Sequence, residues 1–299
     1  MPGVENGTTP WLDGIIKTLE AAGLVSRVLY SADFERPVCF MDAYFRAGSD
    51  CMGPDVARGK GCSNSWFRSP FNLSHVVSTL QSAVWTHAGL PPAYDDTAAS
   101  GRKAHVESLP SECLFNITMI MRSCNRIFLD PELFRIVLEK QLAENALSAC
   151  VRAFDFQGMS FADQVRIVAG SSVVIAAHGA ALTNIAWMRP KTTVVEIFPH
   201  NFNYSTYFGS LASEVGVRYV HLIDPKPRSQ CMVAWTLDWG QHLSKRHQTT
   251  PHSVAEDIDA CMGNESCQRC AKDSEIALAN FDVFEVIKEA IGSLRIRGG

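Results

Sequence analysis

Between Ser172 and Pro199 the chain reads SVVIAAHGAALTNIAWMRPKTTVVEIFP, and few folds accept such a stretch. Val173 to Ala177 is a short, almost wholly apolar run, the pattern of a strand buried on both faces. His178 and Gly179 follow at its end. Ala180 to Met188 reads as a helix, stopped by Arg189-Pro190, and Thr192 to Phe198 as a β-branched strand whose one charge is Glu196. Strand, tight turn, helix and strand predict a right-handed crossover unit. Ligands of such units sit outside the carboxyl ends of the strands, so His178 stands where chemistry is usually placed. Gly179-Ala180-Ala181 leaves the helix N-terminus bare, with N–H groups available to an anion such as a diphosphate.

The flanking sequence extends this unit. Leu114–Met121, Ala149–Phe154 and Val217–Ile223 read as further strands, and the segments between them as helices. Asp130-Pro131 opens one helix, running to about Leu147, as cap and first position. Ser160 opens the next, with Asp163 at capping-box spacing. Ser205 to Val215 is a helix closed by Gly216. Five strands alternating with helices predict an α/β, doubly wound parallel sheet. Upstream, Leu12–Ala22 is an amphipathic helix with Asp13 as its cap and Gly23 at its end, and Leu24–Tyr30 a strand. Pro37–Phe45 is a second apolar segment, 46–70 a long loop, and Leu73–His87 a helix with Val76, Val77, Leu80 and Val84 buried. The domain reading is a partial first domain over 1–90, a linker over 91–113 rich in Pro, Ala and Ser, and a nucleotide-binding domain over 114–299. Residues 224–273 read as irregular, and Glu275–Ile291 as a long amphipathic helix able to pack back across the boundary.

A net charge of −4 gives no reason to expect a nucleic-acid surface. No apolar run is long enough to cross a bilayer. Ten cysteines gather mainly in polar loops, especially 39–62 and 261–270, and five Asn-x-Ser/Thr sequons occur, at Asn6, Asn72, Asn116, Asn203 and Asn264. Together they point to an oxidising secretory lumen. Cys267-x-x-Cys270 lacks a second ligand pair at zinc spacing, so disulfides suit it better. Asp257-Ile258-Asp259 has the spacing of a metal–diphosphate motif but reads as part of a solvated loop. Walker, Ser-elbow and dinucleotide fingerprints are missing, which argues against the usual NTPases, hydrolases and dehydrogenases.

Several residues are candidates for chemistry. His178 can donate to a phosphate or polarise a leaving group, or else satisfy local backbone. Arg122 ends a strand, and with Arg126 it offers two guanidinium groups able to clamp a diphosphate, or to pair with surface carboxylates. Glu196, in a buried strand, needs a partner: a ribose diol, Arg189 or Lys191. Thr183 is available to phosphate and Asn184 to backbone, while Asp163 and Gln164 begin a helix and read as capping residues.

MRSCNRIFLDPEL, then FADQVRIVAGSSVVIAAHGAALTNIAWM, then VVEIFP, in this order and spacing, resemble glycosyltransferase family 61. The match extends over roughly 116–223. The resemblance implies a GT-B architecture, in which the first of two Rossmann-like domains is truncated here and would hold about a hundred more residues when whole. It implies an inverting transfer of a sugar, GlcNAc or a pentose such as xylose or arabinose, from a UDP-sugar to a hydroxyl of a glycoprotein or polysaccharide. It implies a Golgi or ER lumenal protein held at the membrane only by an N-terminal anchor. The donor group carried onto this chain is Arg122, Arg126, His178, Gly179, Ala180, Thr183, Asn184 and Glu196, with His178 and Arg122 as the catalytic pair. The expected partners are the UDP-sugar and a glycan or glycoprotein acceptor. No tightly bound cofactor is expected, and no metal, since Arg and helix N–H groups neutralise the diphosphate. Asp33, Asp42 and His75 are the candidate bases on the acceptor side. The alternative is a non-catalytic nucleotide- or glycan-binding protein that keeps the fold.

Overall fold

The computed structural model describes residues 10–23, 73–91, 113–237 and 254–296. Five strands build one parallel sheet: β1 (Phe115–Met121), β3 (Ala149–Asp155), β4 (Val173–Ala177), β5 (Thr193–Phe198) and β6 (Arg218–Ile223). Their order across the sheet is β3-β1-β4-β5-β6. A two-residue strand, β2 (Phe128–Leu129), pairs separately with β7 (Ile276–Ala277). Every residue of β4 and β5 is buried, as their apolar composition requires of central strands covered on both faces.

Two cores flank the sheet. On one face Ile117, Ile175, Val195 and Ile197 meet Leu138 and Leu142 of the helix Pro131–Glu144 and Ile287 and Ile291 of the helix Val283–Ile296. On the other, Ala176 and Val194 meet Val165 and Val168 of the helix Phe161–Ala169 and Phe208 and Ala212 of the helix Ser205–Glu214. The connection from β1 to β3 therefore crosses one face, and that from β3 to β4 the other. The chain reverses direction across the sheet between neighbours β1 and β4, and there the carboxyl ends of the strands part to leave a crevice.

The helix Leu73–His87 adds to the second core, with Val84 and Trp85 fully buried. The Trp85 indole Nε1 donates to the Trp187 carbonyl at 3.0 Å, and Gln81 Nε2 to that of Ala186 at 2.7 Å. Arg166 Nε reaches back to the Ala88 carbonyl at 2.7 Å. Trp85→Phe removes one of these ties and leaves a buried carbonyl short of its donor. It should cost about 1–2 kcal/mol in urea unfolding with an unchanged denaturant slope. An unaltered midpoint would mean that the tie carries nothing.

Several expectations need correction. Ala180–Trp187 is a 3₁₀ helix rather than an α-helix. Thr183 Oγ1 donates to the Ala180 carbonyl at 2.7 Å and Asn184 Nδ2 to that of Ala181 at 3.1 Å. Both are three residues back, which suits the tighter turn. Asp130 precedes its helix in a left-handed conformation (φ 47°) and makes no side-chain cap, and that helix ends at Glu144. Asp13 lies inside the first turn of the helix Pro10–Ala21 and so does not stand before it as a cap. Ser160 does cap, accepting from the Asp163 N–H at 3.2 Å. The supposedly irregular 224–273 holds helices at Val254–Met262 and Glu265–Asp273, so Asp257 and Asp259 are helical. Their buried positions are Cys261, Met262, Cys267 and Ala271, a pattern that apolar periodicity does not register. Cys261–Cys267 and Cys231–Cys270 are disulfides, so the Cys267-x-x-Cys270 pair is split between two bridges; a third joins Cys113 to Cys150. The C-terminal helix starts only at Val283, after β7 and a short 3₁₀ turn, and it packs on this sheet. The expected segments over 24–30, 37–45 and 46–70, and most of the 91–113 linker, lie outside the described residues. So do Asp33, Asp42 and the side chain of His75.

Candidate functional site

Three strand ends frame a cavity of about 450 Å³. Met121 to Cys124 line it after β1, Asp155 to Gln157 after β3, and Ala180, Ala181, Thr183 and Asn184 after β4. This is the place the strand order assigns to a ligand in an open parallel sheet. Its floor is pinned by amides: Asn184 Nδ2 donates to Gln164 Oε1 at 2.9 Å, and Gln164 Nε2 donates to the Met159 carbonyl at 3.0 Å.

Arg122 enters this cavity from the end of β1. Asn125 holds its guanidinium on one edge: Nε donates to the Asn125 carbonyl at 3.0 Å and Nη2 to Asn125 Oδ1 at 2.7 Å. The group packs against Gly179 of the β4 turn, where a Cβ would stand 2.0 Å from Nη1. Glycine is there because the guanidinium passes over it. Neither Arg122 nor Arg126 forms an ion pair among the described residues, and the buried Nε of Arg126 finds no acceptor. Burial lowers the pKa of Arg122. Burial first, and then the charge of Arg122, bring that of Arg126 down to about 10. Both remain cationic at neutral pH. Because the folded-state value is depressed below the ordinary one, charging Arg126 opposes folding at every pH below about 10, and the cost fades only as pH rises past it. A bound anion offsets that cost.

His178 and Glu196 make a second cluster that does not line the cavity. Glu196, fully buried, accepts from His178 Nδ1 at 2.5 Å through Oε1 and from the Tyr219 hydroxyl through Oε2. Parallel register explains the meeting. Glu196 pairs with Ala176 and Val194 with Tyr219, so His178, Glu196 and Tyr219 rise from one face of three adjacent strands. Burial, with the Glu196 charge second, pushes the Tyr219 hydroxyl far above its usual range, so it stays a donor. The imidazole is stacked on Phe198 at 5.0 Å and on Tyr204 at 5.8 Å, with Phe202 and Phe208 at its edges. Nδ1 is committed to Glu196, and Nε2 makes no hydrogen bond with the described residues.

The residues expected from the sequence thus fall in two groups. Arg122, Ala180, Thr183 and Asn184 line the cavity, with Gly179 under Arg122 and Arg126 close enough for their charges to interact. His178 and Glu196 form a buried pair at the end of β4 and in β5. Thr183 spends its hydroxyl on backbone, and Glu196 is met by His178 and Tyr219 rather than by Arg189 or Lys191. Sequence reasoning missed Asn125 and Tyr219. Asn125 stands between the two arginines, and the alternation of β6 marks Tyr219 as a residue facing the same way as His221.

A doubly wound parallel α/β domain with paired arginines at its switch point is the class that fold and site define. A family model described as Glycosyltransferase 61 matches residues 68–195. A β-1,2-xylosyltransferase of Arabidopsis thaliana is 25% identical over 240 residues, 70% of this chain and 43% of that protein. A protein O-linked-mannose β-1,4-N-acetylglucosaminyltransferase 2 of Canis lupus familiaris is 28% identical over 91 residues, 30% of this chain and 15% of that protein. The chain is similar to glycosyltransferase family 61 over these segments, and it spans less than half the length of these curated relatives.

Proposed function

We propose that this chain supplies the donor-binding part of an inverting glycosyltransferase that moves a sugar from a UDP-sugar to a hydroxyl of a glycoprotein or polysaccharide. The observation that carries the reading is the pair of half-buried guanidinium groups, neither in an ion pair among the described residues, beside a cavity at the switch point. A diphosphate answers their charge and their fixed donor geometry. In a single displacement the acceptor oxygen attacks the anomeric carbon while the UDP leaving group gains negative charge. Arg122 and Arg126 stabilise that charge without a metal, and the bare N–H groups of Ala180 and Ala181 add to it. His178, oriented by Glu196, follows β4 directly before the cavity-lining Ala180, and its uncommitted Nε2 is a further candidate donor or proton acceptor for the reaction. The relatives' names include xylose and N-acetylglucosamine, and these are the first donors to try. Sequons and the three disulfides among the described residues support folding in a Golgi or ER lumen. Among the described residues no helix is long and apolar enough to cross a membrane.

A thermal-shift titration tests the donor site. At a hundredfold excess over its dissociation constant, UDP should stabilise the protein by about 2.7 kcal/mol. Arg126→Gln should melt higher than wild type without ligand, since an unpaired half-buried charge is gone, and should gain less from UDP. Equal gains in both proteins would remove Arg126 from the site. Release of UDP from UDP-xylose or UDP-N-acetylglucosamine with an acceptor then separates an enzyme from a protein that only binds nucleotide.

A further inference from the structure

We infer that Asn264 carries an N-linked oligosaccharide in the mature protein. The inference rests on the lumenal reading above and adds a modification site to it. Three of the five sequons fall among the described residues, and their amides differ in kind. Asn116 sits in β1, where its Nδ2 donates to the Gly170 carbonyl at 3.0 Å and its Oδ1 is buried. A sugar on that nitrogen would have to replace the bond that ties β1 to the turn before β4. Asn203 is half-buried, with Oδ1 accepting from the Ser205 N–H at 2.8 Å, and it adjoins Tyr204 in the stack on His178.

Asn264 is of another kind. It is exposed in the turn between the helices Val254–Met262 and Glu265–Asp273, and Ser266, which completes the sequon, is exposed with it. Its two amide atoms have separate tasks. Oδ1 caps the second helix by accepting from the Cys267 N–H at 3.0 Å, while Nδ2 donates to none of the described residues. Transfer forms a bond from Nδ2 to C1 of the first sugar of a lipid-linked oligosaccharide pyrophosphate. The C1–O bond to the pyrophosphate breaks, Nδ2 gives up one proton, and the lipid pyrophosphate leaves. The amide keeps its oxygen, so the cap survives the modification. The Cys261–Cys267 disulfide brackets the turn and holds the sequon at the surface.

The test expresses the chain behind a cleavable leader in a eukaryotic secretory pathway. Enzymatic removal of N-glycans in heavy-oxygen water then marks each occupied asparagine for peptide mapping, and alkylation reports whether Cys261 and Cys267 are paired. Expected are a mark at position 264, none at position 116, and a Ser266→Ala variant that migrates one glycan lighter with its helix cap intact. Leader cleavage and a closed Cys261–Cys267 bond with an unmarked Asn264 would overturn the assignment. Glycans at other sequons with Cys261 and Cys267 reduced would overturn the lumenal reading, and the assignment with it.

Discussion

Gly179→Ala should abolish tight UDP binding while leaving the fold in place. The backbone at Gly179 is extended (φ 160°), a conformation alanine adopts freely, so the substitution has little to fear from strain. Its added carbon would stand 2.0 Å from Arg122 Nη1 and 2.9 Å from Cζ. The guanidinium cannot slide sideways, because Asn125 holds Nε and Nη2. It must lift off the β4 turn and give up its aim at the cavity. Losing a half-buried charged contact to a ligand costs about 2–5 kcal/mol, which is roughly 30-fold or more in affinity. Calorimetry beside a thermal melt checks both halves of the statement. Wild-type affinity in the alanine variant would mean that Arg122 does not bind the ligand from this position.

Glu196→Leu should be the costliest single change in the second cluster. The carboxylate is fully buried and takes one donor on each oxygen, the His178 ring and the Tyr219 hydroxyl. Leucine leaves two donors without acceptors, at about 1–3 kcal/mol each, so unfolding should lose roughly 3 kcal/mol or more. Glu196→Gln separates stability from role. Its single carbonyl oxygen keeps Tyr219, and its amide then donates to His178 Nδ1, which turns Nε2 from an acceptor into a donor. Stability should fall only modestly while the rate of UDP release from the donor drops. Leucine tolerated at wild-type stability would show that the buried pair contributes nothing to the fold.

The order of residues made the sheet legible, because apolar runs of strand length separated by capped helices leave few alternatives. Ser160 and Gly216 marked helix ends that the structure keeps. What stayed hidden depended on contacts between distant residues. Glu196 announced that it needed a partner, but only the pairing of β5 with β6 brings Tyr219 alongside. Arg122 and Gly179 were each visible, yet their contact follows from β1 and β4 being neighbours in the sheet. The 3₁₀ turn escaped because its cause is local side-chain bonding by Thr183 and Asn184 in a sequence otherwise suited to an α-helix. The helices after Val254 escaped because cysteines, paired as disulfides, occupy much of the stripe that apolar residues would.

One titration decides whether Arg122 and its neighbours hold a nucleotide diphosphate. UDP is titrated into the wild type and into Arg122→Ala by calorimetry, with and without Mn²⁺, each protein first shown to be folded. We expect saturable single-site binding by the wild type, the same with and without the metal, and roughly 30-fold or more weaker in the variant. No binding by the folded wild type, or equal binding by both proteins, would contradict the donor site.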